Sequence, residues 1–177
     1  MIRASLLGPI IAVSVLASLS TEAASALRAD NIVQVGGRVA SFLQPPVSGA
    51  TIAAIVFEPG DAASEAEARS LERSMGNEMV IGALRLKPKR VATNALAGLA
   101  GARVAFVTRG TNYQAIASAA APRSVLTISS DPACSREGHC VVSVSSVPKI
   151  QIFVSKAATR AAKLRFSSSF LMLVKEV

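Results

Sequence analysis

The sequence predicts a single compact α/β domain, with a mostly parallel sheet flanked by helices and an antiparallel hairpin near the C-terminus. Continuous apolar runs rich in β-branched residues, of which Thr51–Phe57 is the clearest, are typical of strands covered on both faces. Segments with helical spacing alternate with these runs, which favours right-handed βαβ crossovers. Near the C-terminus two short apolar runs are separated by only a tight turn, which is the spacing of a hairpin.

The first predicted helix is amphipathic. Apolar residues recur at steps of three and four from Ile32 to Phe42, Asp30 or Asn31 is available as a cap, and Pro45-Pro46 ends the pattern. Two adjacent glycines weaken the helix in its middle.

A strand and a second helix follow with clear boundaries. The strand covers Thr51–Phe57, and Pro59-Gly60 breaks it. Asp61 is then placed to cap a helix that runs to Met75 and stops at Gly76.

The later elements repeat this alternation. In order, we predict a strand over Met79–Leu86, a loop at Lys87-Pro88-Lys89-Arg90, a short helical segment over Thr93–Ala100, a strand over Arg103–Thr108, a helix over Asn112–Ala121, a strand over Ser124–Ser129, a hairpin of Val141–Val144 and Ile150–Val154 on the sheet edge, a helix over Ser155–Lys163, and a last short helix from Ser167 or Ser168 to the C-terminus.

The N-terminus has the pattern of a secretory signal peptide. Arg3 supplies a positive charge, Leu6–Leu19 is almost wholly apolar, and Ala24-Ser25-Ala26 is an A-x-A processing site. We therefore expect a signal peptide over residues 1–26, cleavage after Ala26, and an exported domain over residues 27–177. An uncleaved membrane anchor is the alternative.

The composition indicates a basic globular protein. Hydrophobic residues make up 51% of the chain and charged residues 17%, which provides ample core material, and the formal net charge is +8. Such a charge favours peripheral contact with anionic surfaces, although a solvated basic surface that aids solubility is an equal alternative. The cations are scattered and aromatic residues are only 4%, so nucleic acid is not an expected partner.

The two cysteines predict one local disulfide. Cys134 and Cys140 are separated by five residues in a chain expected to reach an oxidising compartment. His139 lies between them, so a zinc site is the alternative, but no fourth ligand is evident and the spacing fits no standard closed site.

Catalytic motifs are absent from the sequence. It contains no GxSxG, GxxxxGK[ST], GxGxxG or HExxH pattern, and a Ser/His/Asp triad would have to use His139, the single histidine. The acidic cluster Glu58, Asp61, Glu65 and Glu67 is explained by the start of a helix. We expect no enzyme activity, no catalytic residue, no cofactor and no metal site.

The C-terminal third of the chain resembles a known family. Ser124–Asp131, a hairpin, Ile150–Ala158 and the tail LRFSSSFLMLV over Leu164–Val174 are similar in order to the C-terminal half of the YfiR/HmsC-like family. The resemblance extends more loosely back to Thr51. The chain has Phe42-Leu43-Gln44-Pro45-Pro46 where family members commonly carry a Phe/Trp-Pro tract.

This resemblance implies a small periplasmic α/β protein without catalytic activity. Its better-understood members bind the periplasmic sensor region of an inner-membrane diguanylate cyclase, and so restrain cyclic di-GMP signalling and biofilm formation. The expected partner is therefore an inner-membrane signalling protein with a periplasmic sensor domain, and homodimerisation stays open.

Two candidate sites follow from these expectations. The apolar residues Phe166, Phe170, Leu171 and Val174 are the predicted partner contact, with packing against the domain's own sheet as the alternative for each. A small-ligand site is the alternative function. It would lie beyond the carboxyl ends of the strands, near Glu58-Pro59-Gly60, Thr108–Thr111 and Ser129–Asp131.

Export and oxidation are tested by intact-mass measurement of the protein recovered from the periplasm. We expect a mature N-terminus at Leu27 and a mass lower by two hydrogens than that of the reduced chain, because export exposes Cys134 and Cys140 to an oxidising compartment. Free thiols in freshly exported protein would contradict the disulfide, and a mass that retains residues 1–26 would contradict cleavage.

Overall fold

A computed structural model describes residues 14–146 and 149–177. The helices are α1 (Ser14–Ser41), α2 (Ala62–Met75), α3 (Tyr113–Ala120), α4 (Pro132–Arg136), α5 (Lys156–Ala161) and α6 (Ser168–Leu171). The strands are β1 (Gly49–Phe57), β2 (Met79–Ile81), β3 (Leu84–Ala92), β4 (Ala102–Val107), β5 (Leu126–Ser129), β6 (Val142–Ser145), β7 (Gln151–Val154) and β8 (Lys175–Glu176). Thr93–Leu99 and Ala121–Arg123 form 3₁₀ segments.

The strands form one sheet in the order β2-β3-β1-β4-β5-β6-β7-β8. The central five strands, from β3 to β6, are parallel, whereas β2–β3 and β6–β7 are antiparallel. The predicted α/β class and the C-terminal hairpin are therefore confirmed. The hairpin is not on the edge, however, because β8 adds a further parallel strand beside β7.

Helices cover both faces of the sheet. On the first face, α1 and α2 pack over a core that includes Ile55, Phe106 and Ile128. On the second face, α3 and the 3₁₀ segment Thr93–Leu99 pack over the carboxyl-terminal halves of β1 and β4. Residues alternate between these faces because successive side chains of a strand point in opposite directions.

Helix α2 matches its prediction residue by residue. The Asp61 carboxylate accepts a hydrogen bond from the Ser64 backbone N–H at 2.7 Å, and Gly76 ends the helix with a positive φ of 59°.

Helix α1 begins earlier than predicted. Asp30 and Asn31 lie inside the helix, so neither caps its start, and the helix also includes Ala24-Ser25-Ala26. The predicted charged start at Arg3 and the first part of the apolar segment lie outside the described residues. Within the described part of the chain, no helix is both long enough and apolar enough to cross a bilayer.

The predicted strand Met79–Leu86 is two strands, and the predicted loop at Lys87–Arg90 is strand. Gly82, at a φ of +59°, turns the chain between β2 and β3. Pro88 lies within β3, opposite Ala53 of β1. A proline is tolerated there because β2 pairs only with Leu84–Leu86, which leaves one edge of β3 open at Pro88.

Two glycines let α1 approach the sheet closely. A Cβ at Gly36 would lie 2.8 Å from Ile128 Cδ1 and 2.9 Å from Phe106 Cε1, both fully buried side chains. A Cβ at Gly37 would meet the side chain of Ile81, most closely at its terminal Cδ1, and Ile81 is half-buried on the short strand β2.

The two glycines therefore predict opposite effects of the same substitution. Gly36→Ala should lower the free energy of unfolding by about 1–3 kcal/mol, because Phe106 and Ile128 have no room to move. Gly37→Ala should leave stability unchanged or raise it by up to about 1 kcal/mol, because alanine favours the helix and Ile81 can turn aside. Denaturant unfolding of both variants measures the difference. Equal effects would contradict the close contact at Gly36.

Candidate functional site

The C-terminal segment, residues 164–177, is anchored to the end of α1. Gln44 N–H donates to the Arg165 carbonyl at 2.8 Å, and Ser167 N–H donates to the Phe42 carbonyl at 2.9 Å. These bonds flank an isolated antiparallel bridge between Leu43 and Phe166. The segment therefore begins from a fixed point on the first face of the domain.

Three phenylalanines form the packed base of this segment. The Phe42 and Phe170 rings stack with centroids 4.9 Å apart, and Phe166 lies 5.1 Å from Phe170. Phe170 is only 3% exposed, and Phe166 is also buried. Ser167 contributes to this arrangement because its side chain accepts the Phe170 N–H and so starts α6.

The four predicted contact residues are thus divided by burial. Phe166 and Phe170 belong to the core, which leaves little of either side chain available to a partner. Leu171 and Val174 are half-buried and pack against the same core. The predicted final helix is also corrected, because α6 is one turn long and the chain then forms β8.

The most exposed apolar residues of the segment are Met172 and Leu173, which we name the C-terminal tip. Each is 81% exposed. They protrude because α6 turns Phe170 inward and only three residues separate its end from β8, which pairs with β7, so Met172 and Leu173 have no surface to cover. The sequence signal for the tip is that Met172 and Leu173 are large apolar residues that do not belong to the apolar stripe formed by the four predicted contact residues.

A groove of about 400 Å³ lies beside the tip, between α5 and the C-terminal segment. Its lining includes the apolar residues Val154, Leu164, Phe166 and Leu171 and the cations Lys156, Arg160 and Arg165. Lys156 Nζ is paired with Glu176 at 3.1 Å. An apolar group with an anionic end fits such a lining.

The cleft predicted at the carboxyl ends of β1 and β4 is closed by internal hydrogen bonds. Ser64 Oγ and Thr108 Oγ1 lie 2.6 Å apart, and both residues are fully buried. Thr108 Oγ1 donates to the Val56 carbonyl at 3.0 Å, and Ser64 Oγ accepts the Glu58 N–H at 2.8 Å. The polar groups that would meet a ligand there already have partners.

Glu67 of α2 joins the two neighbouring loops. One of its carboxylate oxygens accepts the Arg109 N–H at 3.0 Å, and the other accepts the Ser130 hydroxyl at 2.6 Å. Its side chain is 14% exposed. The structure therefore brings together the loops that the sequence associates with a ligand cleft, but a carboxylate of the protein itself lies between them.

A half-buried tyrosine, Tyr113, completes this end of the sheet. Tyr113 OH donates to Asp131 Oδ2 at 3.0 Å, while Asp131 Oδ1 accepts the Ala133 N–H and caps α4. Burial is the main cause that raises the pKa of Tyr113 above its ordinary value. The hydrogen bond with Asp131 raises the pKa further. Tyr113 therefore remains a protonated hydrogen-bond donor in neutral solution.

Cys134 and Cys140 form the predicted disulfide, and both are buried. The backbone N–H groups of His139 and Cys140 each donate to the Cys134 carbonyl at 2.9 Å. Because both thiols are joined to each other, the zinc alternative loses its two thiolate ligands. His139 Nε2 lies 3.8 Å from Glu137 Oε2.

The architecture places the chain among α/β domains with helices on both faces of a largely parallel sheet. The sequence model of the YfiR/HmsC-like family matches residues 37–175, and the chain belongs to this family. No curated protein matches the chain by sequence.

Solved structures show the same fold. A conserved domain protein from Vibrio cholerae O1 biovar El Tor has a TM-score of 0.61 at 10% identity, covering 84% of this chain and 59% of that one. The ABC domain in complex with L-Trp from Streptococcus pneumoniae has a TM-score of 0.60 at 11% identity, with coverages of 82% and 62%.

A ligand-free, open substrate-binding protein with adhesive properties from Clostridium difficile has a TM-score of 0.60 at 10% identity, with coverages of 84% and 59%. The match thus spans roughly three-fifths of each of these longer chains.

The role assigned to Glu67 predicts a large effect of its removal. Glu67→Ala should lower the free energy of unfolding by about 2–3 kcal/mol, because it leaves the Arg109 N–H and the Ser130 hydroxyl without their charged acceptor. Glu65→Ala is the matched control, since it removes the same charge from a more exposed position on the same helix and should cost less than about 1 kcal/mol. Equal losses in thermal or urea unfolding would contradict the closed cleft.

Proposed function

We propose that this protein is a non-catalytic periplasmic regulator that binds the periplasmic sensor region of an inner-membrane diguanylate cyclase. It restrains that enzyme, and so limits cyclic di-GMP signalling and biofilm formation. The observation that carries the proposal is the family match over residues 37–175, since the family supports a periplasmic regulatory role. Regulation by contact requires an exposed surface, and the C-terminal tip provides one.

The C-terminal tip is the contact that we propose. Met172 and Leu173 expose nearly their whole side chains, and fully burying one such side chain stabilises a complex by about 1.5–3 kcal/mol. Leu171 and Val174, two of the residues predicted from the sequence, border the tip and extend its apolar area. An exposed apolar centre with a charged neighbour, Lys175, is typical of an interaction surface.

The polar network supports a role without catalysis. The buried hydroxyls of Ser64 and Thr108 bond to each other, and the Glu67 carboxylate bonds to two neighbouring loops. These groups stabilise the packing of α2 on the sheet, and none is left directed towards a substrate.

A single-lobe small-ligand-binding protein is the second candidate. The groove beside α5 favours it, because an apolar lining with Arg160 and Arg165 suits a small molecule with an apolar body and an anionic end. Gene neighbourhood separates the two candidates. An adjacent membrane protein with a GGDEF domain favours the regulator, and an adjacent transporter favours the ligand-binding protein.

The regulator is tested by a variant that carries Met172→Asp and Leu173→Asp together. Both positions are exposed, so the fold should be retained, and charges at the interface centre should release the cyclase. Losing an apolar contact there costs about 2 kcal/mol or more, which weakens a complex at least tenfold. Cellular cyclic di-GMP and surface attachment should rise to the levels seen after deletion of the gene.

Val80→Asp is the matched control because Val80 is an exposed apolar residue on β2, at the opposite edge of the sheet. It should leave cyclic di-GMP unchanged. A deletion that changes neither cyclic di-GMP nor attachment under several growth conditions would overturn the regulator. A deletion effect that the tip variant fails to reproduce would overturn only the placement of the contact.

A further inference from the structure

The sheet presents a basic area on its second face. Arg85, Lys87 and Lys89 occupy alternate positions of β3, so their side chains point to the same side, with successive residues roughly 7 Å apart along the strand. Their register partners on β1 are Ala50, Ile52 and Ala54. Ala54 belongs to the core of the second face, which identifies the side to which all three cations point.

Helices leave this area open. The carboxyl-terminal halves of β1 and β4 are buried beneath α3 and the 3₁₀ segment Thr93–Leu99. At the amino-terminal end of β1, by contrast, Ala50 is exposed and Ile52 is half-exposed on this side of the sheet. Arg103, exposed near the start of β4, lines a cavity with Ala50 at this amino-terminal end. We name Arg85, Lys87, Lys89 and Arg103 the basic face.

Local anions do not balance these cations. Glu78 lies 2.7 Å from Arg85 and 3.9 Å from Lys87, which themselves remain 57% and 62% exposed. Within the described residues, Lys89 Nζ donates only to the Gly98 carbonyl and Arg103 makes no ion pair. In the described part of the chain, the one carboxylate of Glu78 therefore pairs with two of these four positive charges.

Five acidic residues lie at the other end of the sheet. The connections that follow the carboxyl ends of β1 and β5 hold Glu58, Asp61, Glu65, Glu67 and Asp131. Because the central strands are parallel, the basic face near their amino ends is separated from these anions along the strand direction. The basic face is thus a side of the domain that a negatively charged surface would attract.

We propose that the basic face binds the anionic headgroups of a phospholipid bilayer. The residues of the face favour a lipid surface over a protein, because protein interfaces are rich in aromatic residues and poor in lysine. Two of the four cations of this face are lysines, and their neighbours on β1 are Ala50 and Ile52. Long cationic side chains on a sheet face can meet a layer of phosphates without a shaped pocket.

This inference is independent of the diguanylate cyclase. It assigns a separate surface to the domain, since the basic face lies on β3 and β4 and the C-terminal tip lies beyond β7. Contact with the bilayer would hold the protein at the membrane surface, where any membrane-embedded partner is found.

The experiment uses the processed chain recovered from the periplasm and two kinds of vesicle. One contains equal parts of phosphatidylglycerol and phosphatidylcholine, and the other contains phosphatidylcholine alone. Co-sedimentation should show binding to the first, little binding to the second, and loss of binding in high salt. Binding to neither vesicle, or equal binding to both, would overturn the proposal.

A pair of variants with equal charge tests the location. The first carries Lys87→Gln, Lys89→Gln and Arg103→Gln, and the second carries Arg136→Gln, Lys149→Gln and Lys163→Gln, all at exposed positions. Each removes three charges from a chain of net charge +8. Since each cation near an anionic bilayer strengthens binding about fivefold, the first variant should bind on the order of a hundredfold more weakly.

The second variant should bind within about twofold of the unaltered protein, because its changes lie away from the proposed contact. Circular dichroism and a retained thermal transition establish that both variants are folded. Equal losses in the two variants would overturn the assignment, since they would show that net charge alone drives the binding.

Discussion

Backbone hydrogen bonds at both ends of the C-terminal segment position the proposed contact. At the start of the segment Ser167 bonds to Phe42, and at its end the Val177 N–H donates to Val154 while the Lys156 N–H donates to Val177. Phe170 fills the space between these anchors and stacks on Phe42. Backbone hydrogen bonds therefore hold the chain in place on both sides of the C-terminal tip, which lowers the conformational entropy lost when a partner binds.

The same backbone pairing explains which parts of the site the sequence could predict. An apolar stripe was visible at Phe166, Phe170, Leu171 and Val174, but a stripe does not reveal whether it faces the sheet or a partner. The short strand β8 decides this, because it pairs with β7 and fixes the direction in which the segment leaves α6. Strand β8 has two residues, which are too few to show a strand pattern in the sequence. The exposure of Met172 and Leu173 therefore depends on a tertiary pairing that the sequence does not reveal.

Local signals predicted the fold wherever a boundary is set by local chemistry. Asp61 caps α2 and Gly76 ends it, and the apolar run of β1 is buried as its composition indicates. Prediction failed where distant pairing decides the structure. Pro88 indicated a loop, yet it lies in β3 because that part of the strand is an open edge, and Gly82 turns a run that otherwise has the pattern of one strand.

Site-specific photocrosslinking in living cells tests the central claim most directly. A photoreactive amino acid in place of Leu173 should give one adduct, which mass spectrometry identifies as an inner-membrane protein with a periplasmic sensor region and a diguanylate cyclase domain. The same amino acid in place of Val80, exposed at the other edge of the sheet, should not give that adduct. No adduct from position 173, or the same adduct from both positions, would contradict the account.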